Sequence, residues 1–85
     1  HAVADRVRVF LDYRDGRGET TERIVRPLVV IYWGGLWMLG AWCELRQAFR
    51  NFRLDRIAEV RVLGSRFDAE DPERGLAAFV RSVSD

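Results

Sequence analysis

Arg46, Arg50, Phe52, Arg53 and Arg56 form the densest group in this chain that can do chemistry. Guanidinium groups grip phosphates and carboxylates at two points and lie flat on aromatic faces. A ring set between them can stack a base, worth about 1–3 kcal/mol per base in single-strand binders. On an extended segment Arg50, Phe52 and Leu54 share one face, and Phe49, Asn51 and Arg53 share the other. Arg56 continues the first face if the chain stays extended. Across Arg46 to Arg61 the arginines face only Asp55 and Glu59, while acids gather at Asp68, Glu70, Asp71 and Glu73. Two readings stand open. In one, the arginines form an anion-binding face. In the other, Phe52 and Leu54 are core, Arg56 pairs with Asp55 or Glu59, and the remaining arginines are simply solvated.

Catalytic signals are poor. His1 is the only histidine and stands at the very start, so no histidine acid–base pair or metal site is expected. Cys43 has no histidine to activate it and no second cysteine to pair with; in its apolar run it reads as a small buried hydrophobe. Ser65, Ser82 and Ser84 lack a partnering base, and no glycine-rich phosphate loop precedes a helix. The expectation is a chain that is not an enzyme and takes no cofactor or metal. The net charge of +1 gives no global field toward a polyanion. All fourteen basic residues are arginine. A codon bias toward arginine accounts for that, but the two-point binding chemistry follows whatever the cause. Nothing reads as a signal peptide. The apolar stretch Pro27 to Trp42 is broken by Gly34-Gly35 and is no membrane span. A cytoplasmic location, with no membrane partner, is the default expectation. A start at His1 without methionine suggests an excised fragment or a tag remnant.

The elements that must position these residues are short. At 85 residues the chain is one domain. From Arg6 to Tyr13 residues alternate, with Val7, Val9, Leu11 and Tyr13 on one face, which predicts a half-buried strand. Asp15-Gly16-Arg17-Gly18 breaks it. Arg23 to Trp33 is the second strand, with Pro27 at an edge, a bulge or a strand entrance. Gly34-Gly35 supplies a two-residue hairpin turn that needs positive φ, and Leu36 to Leu45 returns as the third strand. Phe49 to Leu54 and Ile57 to Leu63 are the fourth and fifth, with Gly64 ending the last. From Pro72 the apolar residues Leu76, Phe79, Val80 and Val83 fall at helical spacing, with Asp71 as N-cap and Pro72 first in the helix. Ala2 to Asp5 reads as a helix stub.

Five short strands with close turns and a terminal helix predict a mainly β, five-stranded Sm-like or SH3-like small barrel over about residues 6–67, with a helix over about 72–83. A five-stranded OB-like barrel is the nearest rival. Trp33, Trp37 and Trp42 lie in or beside the central hairpin, which is apolar on both faces. Each face must therefore be covered, by the barrel interior, by the helix, by a missing domain or by a second chain. Core packing is the ordinary role for each tryptophan, and at least one of the three is expected on a binding face.

These segments resemble the WYL-domain family of bacterial transcription regulators. Gly35-Leu36-Trp37-Met38-Leu39-Gly40-Ala41-Trp42-Cys43-Glu44-Leu45-Arg46 is similar to the strand that gives the family its name. Arg50-Asn51-Phe52-Arg53-Leu54-Asp55-Arg56-Ile57 resembles its R-x-F-x-x-D-R-I segment. Val7 to Tyr13 and Arg23-Ile24-Val25-Arg26-Pro27-Leu28 resemble its first strand and its R-x-V-x-P-x segment. Met38 stands where the family has tyrosine, so a hydroxyl available to a ligand is replaced by a thioether. The resemblance implies an Sm-like barrel. It implies a parent protein that meets DNA through a helix-turn-helix domain outside this chain, commonly as a homodimer. It further implies an effector, a nucleotide or single-stranded nucleic acid, held by Arg23, Arg46, Arg50 and Arg56 with Phe52 and Trp37 beside them; Arg53 belongs to the same segment. A ligand-free dimerisation barrel and an Sm-like RNA-binding module are the rival functions.

Overall fold

In the computed structural model, which describes residues 2–84, a five-stranded antiparallel sheet is flanked by a short helix and a longer one. His1 lies outside the described residues. Helix α1 (Ala2–Asp5) leads into β1 (Val7–Arg14), β2 (Thr20–Trp33), β3 (Leu36–Cys43) and β4 (Ala48–Arg53). A single 3-10 turn (Leu54–Arg56) then carries the chain to β5 (Ile57–Arg66), and helix α2 (Leu76–Ser84) closes it. The strand order is β4-β3-β2-β1-β5.

Local chemistry sets the turns. Gly34 and Gly35, at φ +61° and +84°, form the two-residue turn that makes Trp33 face Leu36 and Tyr32 face Trp37. At the β1–β2 turn the Asp15 carboxylate accepts the N–H groups of Arg17 and Glu19. A bulge after Pro27 lets β2 pass that residue and switch which of its side chains face inward.

The sheet is strongly curled. Three strand spacings, about 14 Å in a flat sheet, separate β1 from β4. Yet the rings of Tyr13 on β1 and Phe52 on β4 meet edge to face at 5.1 Å, and the Arg53 N–H donates to the Tyr13 hydroxyl at 3.1 Å. The edge strands β4 and β5 are likewise consecutive in the chain, joined by a turn that advances only about 2 Å per residue. No ladder joins these two edges among the described residues. The enclosed face buries Val9, Leu11, Val25, Leu39, Ala41, Cys43 and Phe52, with Val3 of α1 and Tyr13 packed against them.

The opposite face of the hairpin is covered by α2. Phe79, 2% exposed, packs with Leu28, Phe67 and Ala69, and its ring meets Phe49 at 5.6 Å. Gly40 makes this possible, because a Cβ there would come within 2.5 Å of the Phe79 ring and 3.0 Å of Val29. The base of the central hairpin is thus covered on both faces by the chain itself, while Val30, Tyr32, Trp33 and Trp37 toward its tip stay exposed.

A chain of charges ties the α2 arm to the sheet. One oxygen of Glu44 accepts from Arg26 at 2.6 Å and from Arg8 at 3.2 Å. Arg26 also lies 3.9 Å from Asp71, which pairs with Arg74 at 3.4 Å, and the Arg74 guanidinium sits over the Trp42 ring at 5.7 Å. Partial burial of Glu44 opposes its ionisation, but the hydrogen bonds from Arg26 and Arg8 outweigh it and hold the carboxyl below its ordinary range.

Several expected boundaries move. Helix α2 starts at Leu76, not Pro72. The Asp71 carboxylate takes the N–H groups of Glu73 and Arg74, and the N–H of Leu76 turns back to the Ala69 carbonyl, so residues 72–74 close a separate turn. Strand β5 does not end at Gly64. That glycine, at φ +82°, forms a bulge and the strand runs on to Arg66. Strand β2 begins earlier, at Thr20, and β3 ends at Cys43, where Glu44–Gln47 turn the chain. Leu54 belongs to the 3-10 turn and not to β4.

Two outcomes follow from this packing. Gly40→Ala is expected to cost about 1–3 kcal/mol by overpacking, lowering Tm by roughly 5–15 °C for a domain this size. Combined with Phe79→Leu, the loss measured by thermal circular dichroism should be smaller than the sum of the two single losses. Glu44→Gln should cost about 1–2 kcal/mol at neutral pH by urea unfolding. Because the folded pKa of Glu44 is lowered, its contribution is complete above the ordinary glutamate range and disappears as pH falls through the folded value. The gap between wild type and Glu44→Gln should therefore narrow from roughly pH 5 downward.

Candidate ligand-binding site

The 3-10 turn Leu54–Arg56 is the centre of the candidate site. It forms because β4 must cross to the other edge of the sheet within three residues, which only a tight turn achieves. On one side of it lies an open groove of about 480 Å³, lined by Gly35, Leu36, Trp37, Leu54 and Asp55. Trp37, 55% exposed, gives the groove an accessible aromatic wall, and the exposed Tyr32 ring packs beside it at 4.9 Å between ring centroids. On the other side a second cavity of about 250 Å³ is lined by Arg14, Asp55, Arg56, Ile57 and Ala58. Arg56 reaches toward the β1–β2 turn, where it is the nearest group to a Cβ built on Gly16, at 3.6 Å.

The structure sorts the expected site residues into three groups. Trp37 and Arg56 flank the turn, as described. Arg50 is exposed on edge strand β4, opposite Ala41, and Arg46 is exposed in the β3–β4 turn. The side chains of Arg14, Arg46, Arg50 and Arg56 make no hydrogen bond or ion pair with any described residue, although the Arg56 charge helps to lower the Asp55 pKa. Arg23, half-buried on β2, donates to the Glu22 carbonyl at 3.3 Å. It lies beside the β3–β4 turn, because the neighbouring Ile24 carbonyl takes the Glu44 N–H. Arg23 and Arg46 therefore stand at the far end of β3 from Trp37. Six residues of strand, about 20 Å, separate Trp37 from Cys43, and Arg50 lies between the two ends.

Two expectations are corrected. Phe52 is no stacking platform. It is 3% exposed, enclosed by Tyr13 and the interior cluster, and no ligand reaches its face. Arg53 is not free for an anion, because Asp55 grips it at two points, Nε to Oδ1 at 3.0 Å and Nη2 to Oδ2 at 2.6 Å. That hydrogen-bonded pair raises the Arg53 pKa and lowers that of Asp55. Sequence reasoning also passed over Tyr32 and Arg14. The signal for Tyr32 was present, since a two-residue turn at Gly34-Gly35 dictates that Tyr32 faces Trp37. Nothing local marked Arg14, which joins Arg56 only through the pairing of β1 with the start of β5.

Met38, at the expected tyrosine position, points away from this groove. It is half-buried beside Ile31, Trp33, Asn51 and Val83 in a separate apolar cleft of about 310 Å³. Trp33 is the most exposed tryptophan, at 74%. No helix among the described residues is long and apolar enough to cross a membrane, and no three His, Cys, Asp or Glu side chains among them cluster as a metal site.

Comparison with known proteins bears on this arrangement. Residues 1–62 match the WYL domain. The chain is 32% identical over 71 residues to the uncharacterized HTH-type transcriptional regulator YobV of Bacillus subtilis (strain 168), covering 82% of this chain and 23% of that protein. It is 34% identical over 65 residues to the DNA-binding transcriptional repressor CapW of Pseudomonas aeruginosa, covering 76% of this chain and 22% of that protein. Among solved structures, proteasome accessory factor B/C (PafBC) of Arthrobacter aurescens is similar with a TM-score of 0.72 and 32% identity, over 79% of this chain and 11% of that one. The chain thus spans less than a quarter of the length of these relatives.

Proposed function

The chain belongs to the WYL-domain family, found in transcription regulators, and on that premise we propose that it is an effector-sensing module that binds single-stranded nucleic acid. The carrying observation is the layout of exposed rings and of guanidinium groups held by no carboxylate. Exposed Trp37 with Tyr32 stands at one end of β3, Arg46 with Arg23 at the other, and Arg50, Arg56 and Arg14 lie between them or beside the 3-10 turn. Stacking rings together with a track of guanidinium groups suit a polynucleotide. A mononucleotide reaches one end of a span of about 20 Å; a strand on the order of four nucleotides or more engages both. In this reading the domain performs no chemistry on its ligand and needs no cofactor or metal.

DNA binding belongs in this proposal to a helix-turn-helix segment outside the chain, as the description of the relative YobV as an HTH-type regulator suggests. Occupancy regulates that segment only if the ligand favours one arrangement of the whole protein over another.

Fluorescence anisotropy with a labelled single-stranded decanucleotide tests the proposal. Arg50→Ala combined with Arg56→Ala should weaken binding at least tenfold while leaving the thermal transition in place. If each arginine neutralises one phosphate, the slope of log K against log salt should lessen by about 1.4, at roughly 0.7 per phosphate. Binding by the double variant with unaltered affinity and salt slope would remove the proposal. AMP should bind far more weakly than the decanucleotide; equal affinity would reassign the site to a mononucleotide.

A further inference from the structure

Two guanidinium groups share one recess. Arg14, from the end of β1, and Arg56, from the 3-10 turn, both line the cavity of about 250 Å³ on the far side of that turn from Trp37. Arg46 and Arg50, by contrast, stand on separate elements, the β3–β4 turn and the edge strand β4. The recess is more than a flat stretch of strand. An extra residue, Ala58, breaks the β1–β5 ladder at this point and lines one wall. Arg56 is half-buried against the β1–β2 turn, its guanidinium 3.6 Å from where a Cβ on Gly16 would stand.

The acids nearby are already engaged. Among the described residues Asp55 is the one acid on the cavity wall, and Arg53 takes both of its oxygens. The Arg56 charge is the smallest of the influences on that carboxyl. Asp15, in the neighbouring turn, accepts the N–H groups of Arg17 and Glu19. Arg14 and Arg56 therefore bring two positive charges to one small space.

That arrangement distinguishes kinds of phosphate. A bridging diester inside a strand carries one charge, and a single guanidinium such as Arg46 or Arg50 answers it. A phosphate monoester carries about −1.5 to −2 near pH 7 and has three acceptor oxygens, so two guanidinium forks can grip it together. Position agrees with charge. The three residues of the 3-10 turn span about 6 Å at roughly 2 Å per residue, a gap that a single nucleotide bridges. A strand whose last base stacks on Trp37 places its end phosphate across the turn, in the recess.

We propose that Arg14 and Arg56 form a subsite for the terminal phosphate monoester of a nucleic-acid strand, so that the domain prefers phosphorylated strand ends. The inference rests on the single-strand reading of Trp37 and the arginine track, and adds to it a selection for ends.

Competition measured by fluorescence anisotropy provides the test. Unlabelled decanucleotides of one sequence, bearing a 5′-phosphate, a 3′-phosphate or neither, displace a labelled single strand. At least one phosphorylated form should compete about five- to tenfold better than the strand with two hydroxyl ends, and the end that gains gives the polarity of the strand in the groove. Arg14 is exposed, so Arg14→Ala should keep the thermal transition. It should bring the ratio of phosphorylated to unphosphorylated affinity close to one, whatever it does to either alone. Arg46→Ala, at the far end of β3, should preserve that ratio. Equal competition by three strands that all bind overturns the subsite and leaves the single-strand reading standing. A phosphate advantage that survives Arg14→Ala, or that Arg46→Ala abolishes as well, also overturns it. If no strand binds at all, the single-strand reading fails and the subsite falls with it.

Discussion

Tyr13 is the clasp of this small fold. Its ring packs against Phe52 and its hydroxyl accepts the Arg53 N–H, joining two strands that stand three places apart in the sheet. Without that meeting the sheet would lie open and Leu11, Val25 and Ala41 would lose the cover that buries them. The other features inherit their positions from it. The crossing brings the end of β4 close to the β1–β2 turn, which forces the 3-10 turn, and the 3-10 turn carries Arg56 to Arg14 and Asp55 to Trp37. The candidate site is a by-product of how the sheet curls.

The arginines divide by partner. Arg8, Arg26 and Arg74 are spent on Glu44 and Asp71, and Arg53 is spent on Asp55. Arg14, Arg46, Arg50 and Arg56 have no such partner among the described residues. A net charge near zero therefore conceals guanidinium groups with no carboxylate partner, while Glu44, Asp71 and Asp55 are committed to holding the α2 arm and the 3-10 turn. Exposed carboxylate pairs contribute little stability singly. The shared Glu44 oxygen, half-buried between two guanidinium groups, is the exception that ties β1 and β2 to the β3–β4 turn.

Most of the fold was legible in the sequence for local reasons. Alternation from Val7 to Tyr13 marked the buried face correctly, and the Gly34-Gly35 turn fixed the register of β2 with β3. The site was less legible. Arg50 and Phe52 share a face, as two-residue periodicity demands, yet one is exposed and the other enclosed. Periodicity gives the face a side chain takes and not its depth, and depth here depends on Tyr13, which lies thirty-nine positions earlier in the chain. The same limit explains Arg53 and the Glu44 network. A bidentate grip by a residue two positions on is a matter of backbone curvature, and a bridge from residue 8 to residue 44 leaves no trace in any short window. Asp71, expected as the N-cap of the helix, instead closes a turn set before it, and the helix begins at Leu76.

The three residues Leu54–Arg56 hold a double office. They are the only covalent strap across the seam between the two sheet edges, and they also form the lip on which the aromatic groove and the arginine cavity open. Through this strap the spacing between the two edges of the curled sheet is tied to the lip of both openings.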